Sequence, residues 1–157
     1  MMTNRIDRRT FLAGAGALLA LPSIAHAAAP RGGFVMWHSP GCGCCLEWRK
    51  RMQVAFGAPL PIVEVPDLHK VKAAQGVPGD LHACHTALIG GYVIEGHVPP
   101  ADIQRLIGSR NRIIKGLAVP GMPMGSPGMD VGHDKRQPYQ VIAFAPNGRR
   151  AIFAKHG

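Results

Sequence analysis

Two hydrophobic periods alternate along the chain. Gly33-Phe34-Val35-Met36-Trp37-His38 is an apolar, aromatic-rich run of strand length, broken by Ser39-Pro40-Gly41. From Cys42 the period changes. Cys45, Trp48, Met52 and Ala55-Phe56 recur three or four apart, with Glu47, Arg49, Lys50 and Arg51 between them. That spacing predicts an amphipathic helix with one buried stripe, stopped at Gly57. Residues 60–65 predict a second strand, bounded by Pro59 and Pro66. Asp67 can cap a short helix through Gln75, with Leu68, Val71 and Ala74 on its inner face and Gly76 past its end. Val77-Pro78-Gly79 is a turn. Residues 86–89 and 92–95 flank Gly90-Gly91, a two-residue hairpin turn. Pro99-Pro100 opens a helix carrying Ile103, Leu106 and Ile107 and closing at Gly108.

The predicted order is β-α-β-α-β-β-α. A βαβ unit followed by a hairpin and a last helix predicts an α/β, thioredoxin-like core over about residues 33–108. In such a fold a redox or metal-binding cysteine sits between the first strand and the first helix, where Cys42 to Cys45 lie. An extension, 109–157, has a different composition. Residues 116–131 are rich in Gly, Pro and Met and predict an ordered surface loop. Residues 140–144 and 150–154 predict a β-hairpin across Pro146-Asn147-Gly148. No internal repeat is present.

The N-terminus reads as an address. Arg8-Arg9 precede a short run of Ala, Gly and Leu, and Ala25-His26-Ala27 offers small residues to a signal peptidase. The arginine pair points to twin-arginine export to the periplasm, although Asp7 and Ala13 depart from the usual pattern. The run is too short to span a bilayer, which needs about 20 residues. The expected organisation is a signal peptide, 1–27, and one metal-binding domain, 28–157, with no stable membrane insertion after cleavage. The full chain carries 18 Lys+Arg against 9 Asp+Glu. Arg5, Arg8, Arg9 and Asp7 lie in the leader, so the mature chain keeps a charge of +7. Export, and the lack of any basic run with interleaved aromatics, argue against nucleic acid as a partner.

All four cysteines lie beyond the leader: Cys42, Cys44, Cys45 and Cys84. An even count in an oxidising compartment first suggests disulfides. Three cysteines within four residues make a two-bridge framework a poor one, because such tight bridges close almost no loop. Cys42-Gly43-Cys44-Cys45 begins a predicted helix, whose N-terminal N–H groups and dipole favour thiolate. Thiolate is both nucleophile and metal ligand, so two chemistries stay open. Cys42 and Cys45 have the C-x-x-C redox spacing and fit a thiol–disulfide oxidoreductase, with Cys42 as nucleophile and Cys45 as resolver. A dithiol enzyme has no use for Cys44, whereas a soft metal uses additional sulfurs. Cys84, followed by His85-Thr86, precedes the hairpin strand that should face the same helix end. Its alternative role is a small buried hydrophobe.

Soft donors suit Cu(I). Structural zinc usually takes two separated ligand pairs, and iron–sulfur clusters take wider spacings. One crowded trio and a distant fourth cysteine fit several Cu(I) ions sharing bridging thiolates. Cys42, Cys44, Cys45, Cys84 and His85 are therefore the expected metal residues. Met122, Met124 and Met129 are added as soft thioethers, with loop packing as their alternative. His38 is a ligand, a thiol tuner or a satisfied strand-end residue. His97 reads as structural, His69 and His156 as surface residues, and His133 lies just past the methionines.

These motifs together resemble the CopG-type copper-resistance family, long catalogued as a domain of unknown function. The resemblance is carried by Cys42-Gly-Cys-Cys45, Trp48, Gly76-Val-Pro78, Cys84-His-Thr86, the 91–99 segment Gly-Tyr-Val-Ile-Glu-Gly-His-Val-Pro and the Gly-Met-Pro segment. It runs from about Gly33 to the C-terminus. It implies a periplasmic thioredoxin-like protein binding copper through Cys42, Cys44, Cys45 and Cys84. Asp130 stands where that family commonly has Glu. The expected function is periplasmic copper binding for resistance or homeostasis, with Cu(I)/Cu(II) cycling left open and other periplasmic copper-handling proteins as partners. The rivals are the Cys42/Cys45 oxidoreductase and a chaperone delivering copper to a pump or oxidase.

Overall fold

The computed structural model describes residues 33–132 and 134–157. The leader and its cleavage site, and His133, lie outside the described residues. The predicted core order is the observed one: β1 (Phe34–His38), α1 (Gly43–Phe56), β2 (Ile62–Glu64), α2 (Leu68–Gln75), β3 (His85–Ile89), β4 (Tyr92–Glu95) and α3 (Pro100–Ser109). β1 pairs parallel with β2 and antiparallel with β3, and β3 pairs antiparallel with β4 across Gly90-Gly91.

The extension completes the sheet rather than lying over it. β5 (Gly116–Ala118) pairs parallel with β4, then β6 (Tyr139–Phe144) and β7 (Arg150–His156) follow antiparallel. The result is one seven-stranded sheet ordered β2-β1-β3-β4-β5-β6-β7. The surface loop expected from residue 116 therefore begins only after β5. Gly-Leu-Ala is too short a run to show a period of two, yet all three residues are buried.

One face of the sheet packs Met36, Ala87, Ile89, Ile94 and Leu117 against Trp48 and Met52 of α1 and Ile103 and Leu106 of α3. Val93, Ala118 and Phe144 form a second cluster with Val77 and Leu81. Neighbouring Val93 and Ile94 fall in different clusters, as strand alternation requires. β5 is held tightly at Gly116. A β-carbon there would lie 2.1 Å from the Val93 carbonyl oxygen and 2.7 Å from the Phe144 ring. We expect Gly116→Ala to destabilise the fold by about 1–3 kcal/mol through overpacking, measured by denaturant unfolding.

α1 ends at Gly57 and α2 is capped by Asp67, as predicted. The inner face of α2 differs from the predicted one. Ala74 is exposed and Lys72 is 2 % exposed. The cause is an ion pair: Lys72 Nζ donates to Glu95 of β4, which is 0 % exposed. Charge pairing rather than apolarity sets that helix face. α3 runs one residue past Gly108 and closes on Arg110 in a left-handed conformation (φ 50°).

Candidate metal centre

β1 ends at His38, and the chain turns through Pro40-Gly41 into the first turn of α1. Cys42 takes the N-cap position with no side-chain capping bond. Cys45 faces the core at 0 % exposure, one turn before Trp48. Cys42 and Cys44 stay half-exposed at the helix end. Cys84 comes from the segment before β3 and meets them there. The four Sγ atoms all lie within 4.8 Å of one another. Cys44 Sγ is 3.6 Å from Cys42 Sγ and 4.0 Å from Cys84 Sγ, and Cys45 Sγ is 3.7 Å from the Cys84 carbonyl oxygen.

Cys42 and Cys45 are joined by a disulfide, while Cys44 and Cys84 are free. The crowding that argues against disulfides does not prevent one bridge, at the C-x-x-C pair. In this oxidised state two of the four sulfurs offer no thiolate. Two electrons and two protons open the bridge and give four thiols at one place. Burial, then the neighbouring Cys44, pushes the Cys84 thiol up to about 12. Cys84 therefore enters any metal site by releasing a proton.

Two imidazoles flank Cys84. His85 Nδ1 lies 3.4 Å from Cys84 Sγ, and its ring packs 4.3 Å from the Trp48 ring, centroid to centroid. His97 Nε2 lies 2.8 Å from the same sulfur. Cys84, His85 and His97 form a second group whose donor atoms all lie within 4.8 Å of one another. His97, read from the sequence as structural, is thus part of the cluster. It is 13 residues from Cys84 in sequence, brought back by the hairpin turn, and no spacing motif announces it. His38 is buried opposite His85 in the β1–β3 register, outside both groups. Neither its ring nitrogens nor His85 Nε2 has a hydrogen-bond partner among the described residues.

Burial pushes the imidazoles of His85 and His97 below their ordinary value, His85 the further. Both rings are neutral at pH 7 and available as nitrogen donors. The unfolded chain protonates them as pH falls through about 6.5, whereas the folded chain resists protonation. Their contribution to stability is therefore intact above about pH 6.5 and is lost below it. We expect the Tm of the metal-free protein to be flat from about pH 7 to 8 and to fall steeply below about 6. A His97→Gln variant should show a shallower fall.

A polar network sets the position of Cys84. Glu95 accepts a hydrogen bond from the Ala83 N–H at 2.6 Å and from the Thr86 hydroxyl at 2.7 Å, in addition to its bond from Lys72. Lys72 also donates to the Thr86 hydroxyl at 3.1 Å. The residues before and after the Cys84-His85 pair are thereby fixed to the hairpin. Trp48 Nε1 donates to the Val98 carbonyl at 2.9 Å and ties α1 to the segment carrying His97.

Met122 is exposed and lines a cleft of ≈ 500 Å³ that also reaches Cys42 and Cys84, with His69 and His82 on its wall. Met124 and Met129 are half-buried in the loop and do not line that cleft. His156 pairs with Asp102 at 2.7 Å, away from the cysteines. Among the described residues no helix is long and apolar enough to cross a membrane.

The family model described as "Protein of unknown function, DUF411" matches residues 81–129, the stretch from just before Cys84 to Met129. No curated protein matches. Two solved structures, both titled copper resistance protein CopG, superimpose on the chain. Form 2 gives a TM-score of 0.72 at 36% identity, covering 78% of this chain and 96% of that one. Form 1 gives 0.71 at 36% identity, covering 79% and 98%. Likeness of sequence and fold over nearly the whole length of those proteins places this chain in the CopG copper-resistance protein family.

Proposed function

We propose that the chain is a copper-binding protein of copper resistance, holding Cu(I) on Cys42, Cys44, Cys45 and Cys84. The observation that carries this reading is the meeting of four sulfurs from two distant segments within 4.8 Å. Sulfur is a soft donor, and Cu(I) is the soft ion of low coordination number that such a cluster suits. Thiolates this close can bridge ions, so the proposed site takes more than one Cu(I). The names of the similar solved structures support copper as the cargo. The β-α-β-α-β-β-α order supports the thioredoxin-like reading, with its reactive cysteines at the start of α1. His85 and Met122 are proposed as outer or transient ligands. Export by the twin-arginine route to the periplasm, with cleavage after Ala27, completes the proposal and rests on the leader sequence.

Anaerobic titration of the reduced chain, residues 28–157, with Cu(I) against a chromophoric chelator tests this reading. Saturation above one Cu(I) per chain is expected. Saturation at one ion defeats the multinuclear site, and no uptake defeats the copper reading.

The Cys42–Cys45 bridge favours a second reading, a thiol–disulfide oxidoreductase. The two readings part at Cys44. Its replacement leaves a dithiol exchange enzyme intact and sharply weakens a copper cluster.

A further inference from the structure

Basic residues gather at the end of the sheet away from the cysteines. Val93, Gly116, Phe144 and Arg150 lie in one row across β4, β5, β6 and β7. The segment between α3 and β5 and the turn between β6 and β7 therefore emerge on the side of the Gly90-Gly91 turn. The cysteine cluster lies at the opposite end, where His38 pairs with His85 and Thr86 with Glu95. Arg110 and Arg112 come from the first segment, Arg149 and Arg150 from the second, and all four are exposed. No Asp or Glu occurs in residues 103–129 or 135–157. Asp80 accepts from Arg150. Among the described residues no carboxylate pairs with Arg110, Arg112 or Arg149.

An apolar side chain stands among these arginines. Ile113 is 72 % exposed. The loop that presents it is held from both sides. The Asn111 side-chain carbonyl accepts from the Ile113 N–H at 2.8 Å and the Ile114 N–H at 3.1 Å, and the Tyr92 hydroxyl donates to the Asn111 backbone carbonyl at 2.9 Å. Ile113 and Ile114 line a cleft of ≈ 210 Å³ together with Phe144, Arg149 and Arg150. A large apolar group fixed in water beside unpaired cations is arranged for a surface that is both apolar and anionic, and its loop is already ordered before any contact.

We propose that this end of the sheet docks on an anionic lipid bilayer, with Ile113 entering the headgroup region and Arg110, Arg112, Arg149 and Arg150 binding lipid phosphates. A guanidinium matches phosphate through paired hydrogen bonds. One weak apolar anchor joined to a basic patch is a combination that gives reversible attachment to a membrane surface. An acidic protein would satisfy the arginines and leave the protruding isoleucine without a partner of its own. A bilayer takes both, with phosphate for the one and acyl carbon for the other. Docked in this way, the chain holds its cysteine cluster on the side away from the lipid. The inference is independent of the copper reading.

Co-sedimentation of the mature chain, residues 28–157, with vesicles of phosphatidylethanolamine and phosphatidylglycerol tests it. Binding is expected at low salt, is lost at high salt, and is absent with vesicles of phosphatidylcholine alone. Arg112→Gln and Arg149→Gln should each lower partitioning about 5-fold, and Ile113→Ser about 10-fold. Lys70→Gln removes the same charge from the first turn of α2, beside the cleft that reaches Cys42 and Cys84, and should leave binding unchanged. Should Ile113→Ser fail to fold, the two arginine variants against Lys70→Gln decide. An equal loss in Lys70→Gln would mean that the vesicles sense net charge alone, and overturns the assigned surface. A parent chain that stays in the supernatant with the anionic vesicles overturns it too, as does one captured by immobilised polyglutamate and by no vesicle, which would make the partner an acidic protein.

Discussion

Replacing Cys84 with serine is expected to weaken Cu(I) binding by at least about 100-fold, because a hard, protonated hydroxyl stands in for a soft thiolate. The substitution is nearly isosteric and removes no hydrogen bond that holds the backbone. The fold and the Cys42–Cys45 bridge should survive. Competition against a Cu(I) chelator measures the first effect, and thiol counting before and after reduction measures the second. If affinity stays unchanged, Cys84 is packing, and the three cysteines of α1 bind copper alone. Cys84 is the decisive position because it is the only cysteine outside the Cys42–Cys45 segment. Its arrival 4.0 Å from Cys44 is a fact of tertiary structure.

The second large effect is expected at Lys72. Lys72→Met leaves the Glu95 carboxylate buried without its cation. Removing one partner of a buried pair costs about 3–5 kcal/mol, on the order of 10–20 °C in Tm for a domain of this size. The double variant Lys72→Met, Glu95→Gln should lose less than the sum of the two single changes, since the second removes the charge that the first orphans. Thermal unfolding of the three variants checks this. The network also sets the site. Glu95 holds the Ala83 N–H, one residue before Cys84. Copper affinity of Lys72→Met, measured well below its Tm, should therefore fall as well. Equal stability of Lys72→Met and the parent would mean the pair contributes nothing.

The parts of the fold legible in the sequence were those with a long period or a strong turn. The stripe Cys45, Trp48, Met52 marked α1 because fourteen residues give four turns of repetition. The Gly90-Gly91 and Asn147-Gly148 turns marked the two hairpins. β5 was illegible because three residues carry no period, and its pairing with β4 is set by tertiary context alone. The inner face of α2 was misread for a different reason. Lysine is almost never fully buried without a partner, and the partner, Glu95, lies 23 residues away on another element.

The site divides the same way. The cysteine trio was legible from spacing, and its meeting with Cys84 followed from where β3 should lie. His85 is legible as the sequence neighbour of Cys84, whereas His97 is not. His97 reaches Cys84 through a hairpin, a turn at Gly96 and a carbonyl supplied by a loop 30 residues further on. The Met-rich loop stands out in the sequence by its sulfur. Only Met122 of its three methionines lines the cleft at the cysteines, while Pro127 and Gly128 reach the site through the backbone.

Anomalous diffraction at the copper edge, on crystals of the reduced chain grown with Cu(I), tests the central claim most directly. Copper peaks are expected among the sulfurs of Cys42, Cys44, Cys45 and Cys84, more than one per chain. Copper bound elsewhere, or a chain that excludes it while the four thiols are reduced, would contradict the account.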